Sequence, residues 1–127
     1  MAVGMNTTNV VNVWLNWIRG TNATAPTSIN IKLHTGDPGA SAASNAAAGN
    51  TTKQAATFSA PSGGAIALSN SPQWTNSGTS ETLTNISAWD QSSNPLWTAT
   101  LSASQAWNNT NTFTLTTLGV AITPLMA

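Results

Sequence analysis

Cysteine and tyrosine are both missing from this chain, a single histidine is present, and only six of the 127 residues are formally charged, three basic and three acidic. Each scarcity excludes something. Without cysteine there is neither a disulfide framework nor a thiolate metal site. With charges that balance to zero, no surface can neutralise a row of phosphates, so non-specific binding to DNA or RNA is excluded. No run approaches the ~18 to 20 apolar residues of a membrane-spanning helix, and the N-terminus has no charged segment leading into an apolar one. Neither a membrane partner nor a cleaved signal is therefore expected.

Asparagine, serine and threonine are abundant, together 50 of the 127 residues. Amides and hydroxyls bond water and neighbouring chains equally well. A surface this poor in charge lacks the repulsion that keeps monomers dispersed. The composition thus points to a protein that works in an assembly.

The stretch Leu83 to Leu101 is the strongest local signal. Ile86 and Ala88 alternate with Ser87 and Trp89, then Trp97, Ala99 and Leu101 alternate with Leu96, Thr98 and Thr100. Between them, Asp90-Gln91-Ser92-Ser93-Asn94-Pro95 collects side chains that bond their own backbone and a proline that fixes φ. The pattern predicts a β-hairpin that anchors the core with its tryptophans.

Residues Asn6 to Ile18 carry the one helical pattern, with Val10, Trp14 and Trp17 on a stripe and Val11, Leu15 and Ile18 beside it. Asn6 or Thr7 can cap its start, and Arg19 and Gly20 suit its end. Thr21 to Ser28 reads as a linker, Ile29 to His34 as a strand of period two, and Thr35 to Gly39 as a tight turn. The small, polar stretch Ala40 to Thr52 is expected to be an exposed or partner-ordered loop, with a helical turn open to Ala46 to Ala48. Gln54 to Phe58, Ala65 to Ser69, Pro72 to Thr75, Thr112 to Thr116 and Val120 to Ile122 complete a set of seven to nine short strands.

The fold class expected is mainly β, an antiparallel β-sandwich or barrel with one short N-terminal helix. Residues 1–127 form one domain, with 1–20 as a helical arm and 21–127 as the sandwich or barrel. Thr84 to Thr123 is expected to run as consecutive antiparallel strands. Leu33, Phe58, Ile86, Leu101, Phe113 and Ile122 are the expected core.

Catalytic chemistry finds little support. His34 with Asp37 is the one pairing that resembles an acid–base couple, but no serine stands in a nucleophile spacing. Asp37 is read as bonding the backbone of the turn that follows. Asp37, Glu81 and Asp90 are too scattered for a calcium loop, so no catalytic residue, metal or cofactor is expected. Val10, Trp14, Trp17 and Trp74 are the candidate interface residues. Trp74, beside Asn70 and Asn76, is the indole expected to be exposed, which also leaves a sugar-stacking platform open.

Ile31-Lys32-Leu33-His34-Thr35-Gly36-Asp37-Pro38-Gly39 and Ile86-Ser87-Ala88-Trp89-Asp90, in this order after an N-terminal helix, resemble a family of small tailed-bacteriophage virion proteins. Members are usually labelled tail-fibre or minor tail proteins, and an L-H-T-G-D-P-G segment precedes a G-x-W/F-D segment in them. Here Ser87 or Ala88 stands where that second motif has glycine. The resemblance implies a virion structural protein without catalytic residues, assembled in the host cytoplasm. Its partners would be other copies of itself, as a homotrimer, and the major capsid protein or other virion proteins. Composition favours a capsid decoration or cement protein. A tail-fibre or minor tail (baseplate) protein and a glycan-binding module for host attachment are the alternatives.

Overall fold

The computed structural model describes residues 3–122. Its centre is the predicted hairpin, β6 (Glu81–Trp89) and β7 (Pro95–Trp107). The Asp90 carboxylate closes the turn by accepting from the backbone N–H of Ser92 and of Asn94, each at 2.8 Å, and from the Asn94 amide. Those bonds, with the charge of Lys53, outweigh the effect of burial and hold the Asp90 carboxyl below its usual range.

Around the hairpin, β1 (Gly4–Met5), β2 (Ile29–His34) and β3 (Gln54–Ala56) complete an antiparallel sheet of order β1-β7-β6-β2-β3. Leu33 lies opposite Ile86 and Ile31 opposite Ala88, so four apolar side chains share one face. The other face is a polar layer with Lys32 opposite Ser87 and His34 opposite Asn85. Near the far end of the hairpin, pairing jumps from Asn85 opposite Thr100 to Leu83 opposite Gln105. Thr84 alone therefore faces the four residues Leu101 to Ser104, a wide bulge that bends β7 out of the ladder.

Two short ribbons flank this sheet. β4 (Ala65–Ala67) pairs with β9 (Gly119–Ala121), and β5 (Gln73–Thr75) pairs with β8 (Thr112–Thr114). The fold is thus mainly β and antiparallel with a short N-terminal helix, and its sheets do not close into a barrel. The consecutive-strand expectation for Thr84 to Thr123 holds only for the hairpin; Thr123 lies outside the described residues. After Trp107 the chain turns at Asn108 to Asn111 and returns to earlier strands, with Phe113 opposite Trp74 and Val120 opposite Ile66.

The core gathers Ile31, Leu33, Leu83, Ile86, Trp74 and Trp107. Of the expected core, Leu33 and Ile86 are buried, while Phe58, Leu101 and Phe113 are half-buried against it. Ile122 is a correction, being about half exposed. It bonds Gly64 at the tip of the β4–β9 ribbon, one residue past the last ladder pair, where no layer covers it.

The Ala40 to Thr52 loop is exposed along most of its length, as expected, and it is ordered by its own chain. Ala46 bridges His34, and the Ala47 N–H donates to Leu33 O at 3.0 Å; Ala46 to Ala48 form no helical turn. Both oxygens of Glu81 accept backbone N–H groups, from Ala48 at 3.1 Å and Gly49 at 2.8 Å. Small side chains make this possible by letting the backbone close on the sheet. A Cβ at Gly49 would sit 2.3 Å from the Asn76 side-chain oxygen. Besides burying Ala42 and Ala47, the loop gains backbone hydrogen bonds, which composition does not register.

Candidate interaction surface

The N-terminal helix begins as a wide turn, Thr7–Val11, and continues as α1 (Asn12–Ile18). Asn6 caps it as expected, its side chain accepting from Asn9 N–H at 2.9 Å. The Asn6 carbonyl receives both Val10 N–H and Val11 N–H, which widens the first turn into π geometry. That turn is riveted to the hairpin: Asn6 N–H donates to Leu96 O at 2.7 Å and the Asn9 amide donates to Pro95 O at 2.8 Å. Gly20, at φ +87°, ends the helix and donates to Trp17 O.

Beyond the rivet, α1 stands proud of the sheet. Trp14 is 40% exposed, Leu15 56%, Trp17 70% and Ile18 71%. At 3.6 residues per turn, the apolar positions from Val13 to Ile18 sweep about 200° of the helix, roughly twice what one packed face requires. An open groove of about 420 Å³ runs beneath, lined by Val10, Trp14 and Trp17 and closed by Pro26, Ile66 and Val120, with no charged residue along it.

Three of the four candidate interface residues therefore meet at one place. Val10 forms the half-buried floor, and Trp14 and Trp17 form the wall. Trp74 does not join them and is a correction. It is 1% exposed, its ring lies 6.1 Å from that of Phe113, and its indole N–H donates to Thr52 O at 2.9 Å. A ring so enclosed presents no platform to a sugar. The asparagines that suggested an exposed loop instead bond inward: the Asn76 amide donates to Trp107 O at 2.8 Å and the Asn70 amide to Ala55 O at 2.9 Å. The groove walls Ile66 and Val120 were beyond sequence reasoning, because they come from strands 54 residues apart that meet only through the β4–β9 pairing.

His34 has a different setting from the one its sequence neighbours suggest. Asp37 does accept from the backbone N–H of Gly39, at 2.9 Å, as the turn reading requires. The imidazole meets Ser87 instead, with Nε2 2.7 Å from Oγ and Nδ1 2.8 Å from Ser44 O. A backbone carbonyl only accepts, so the ring proton sits on Nδ1 and the Ser87 hydroxyl donates to Nε2. The same hydroxyl oxygen accepts from Trp89 Nε1–H at 2.7 Å. Burial, opposed by the hydrogen bond to Ser44 and reinforced by Lys32, pushes the imidazole below its ordinary value. A serine donating to a histidine has the form of an activated nucleophile. Both residues are fully buried, however, so the pair is sealed from solvent and pins the polar layer of the sheet to the loop at Ser44.

Lys53 completes the polar side. Its ammonium lies 4.0 Å from the Trp89 ring centre and donates to Ser93 Oγ at 3.0 Å. Burial and the nearby charge of Lys32 lower its pKa. One of the few cations is thereby committed to covering an indole.

A family model described as Podophage GP4 fiber I protein gp80 matches residues 5–123, from the first strand through the last. No curated protein matches the chain.

Proposed function

The chain belongs to the Podophage GP4 fiber I protein gp80 family, which makes it a phage structural protein of the virion, and we propose that within the particle it is a fibre component of the tail, acting through protein–protein contacts. The observation that carries this reading is the fibre family's match across nearly the whole chain, helix included. The molecule's own features agree with it. The large exposed side chains are concentrated on a rigidly anchored helix, the form that contact surfaces take, and the lone histidine is consumed by internal bonding. In this reading the protein is not an enzyme and holds no cofactor.

Quantitative mass spectrometry of purified virions, with immunogold labelling, tests the assignment. A few copies per particle with label confined to the tail is the expected result. Hundreds of copies spread over the head would instead make this a capsid decoration protein.

A further inference from the structure

We propose that α1 and the groove beneath it form the contact between copies of this chain, the Leu15–Ile18 ridge of one copy seating in the groove of another. The inference names a partner for the contact surface in the reading above, but it is tested on isolated protein.

Taking about 150 to 250 Å² for a large apolar side chain, the exposed fractions of Trp14, Leu15, Trp17 and Ile18 leave roughly 350 to 600 Å² of apolar surface on one helix. That is the size of the largest patch found on a typical monomer, about 300 to 600 Å², a patch that is often functional. A standard interface uses about 800 Å² per partner. The groove, with Pro26, Ile66 and Val120 on its far side, lies directly alongside and extends that apolar surface.

Shape and charge then favour a second copy. On the helix, Leu15 and Ile18 point to one side of the Trp14–Trp17 wall while the groove opens on the other. Each chain thus carries a ridge and a cleft side by side, and copies meeting through them satisfy both together. Neither element bears a charged side chain. Arg19, the nearest, is drawn to the polar side of the helix by donating to Asn16 Oδ1 at 2.8 Å. Two identical surfaces can therefore meet without opposing like charges, a penalty that self-association of most surfaces must overcome.

Size-exclusion chromatography with multi-angle light scattering on the full chain is the test, using wild type, the ridge variant Leu15→Asn/Ile18→Asn and the groove variant Ala25→Arg. All three substituted residues are exposed, so folding is retained, and far-ultraviolet circular dichroism checks this. Wild type is expected at a small integral multiple of 13.0 kDa, with both variants shifted to the monomer mass. The multiple reads out whether copies close as pairs or as rings of three. A wild type that stays monomeric at concentrations on the order of 100 µM, or variants that keep the oligomer mass, would overturn the proposal and leave the fibre assignment untouched.

Discussion

Replacing Ser87 by alanine removes one oxygen from the molecule and is expected to be among its costliest small changes. The hydroxyl serves two buried partners at 2.7 Å each, donating to His34 Nε2 and accepting from Trp89 Nε1–H. Alanine orphans an acceptor and a donor at once, in a layer where water has no access. Each orphaned group costs about 1 to 3 kcal/mol, so the expected loss is roughly 2 to 6 kcal/mol. Total stabilities of domains are about 5 to 15 kcal/mol, so the variant should unfold at a visibly lower urea concentration. A second readout separates this cause from a simple packing defect. The hydroxyl donates to Nε2 and so holds His34 as the neutral Nδ1–H tautomer, and without that bond the ring resonances and their titration should change. The assay is urea unfolding followed by tryptophan fluorescence, paired with an NMR titration of the single histidine. A loss under about 0.5 kcal/mol with an unchanged titration would refute the shared-hydroxyl network.

Three further outcomes are expected. Because burial sets the native pKa of His34 below the unfolded value of 6.5, the unfolded chain takes up the proton first; stability is full above about pH 6.5 and declines as the pH falls from there towards the native pKa. Urea midpoints measured between about pH 7 and pH 5 should show that decline in wild type and a flatter profile in His34→Gln. Trp74→Ala should cost about 3 to 5 kcal/mol in chemical denaturation, as for a large buried ring; a cost under about 1 kcal/mol would place the indole at the surface after all. Gly49→Ala drives a methyl into an Asn76 side chain held by its own bonds to Gly78, Thr79 and Trp107, so a loss of about 1 to 3 kcal/mol is expected, and a neutral thermal melt would show that the loop relaxes freely.

Much of the architecture was determined by the sequence alone, wherever the decisive interactions are local. Period-two alternation and a self-bonding turn placed the β6–β7 hairpin and β2. The asparagine cap and terminal glycine placed the helix. Tertiary structure decided what depends on residues distant in the chain. It buried Trp74 against Phe113, left Ile122 uncovered at a ribbon tip, and sent β8 and β9 back to β5 and β4. It also replaced Asp37 with Ser87 as the partner of His34, across 53 residues. The Ala40 to Thr52 loop shows why such features are illegible in one dimension. Its order comes from backbone groups, which every sequence possesses, meeting Glu81 and Leu33 only after the sheet has formed.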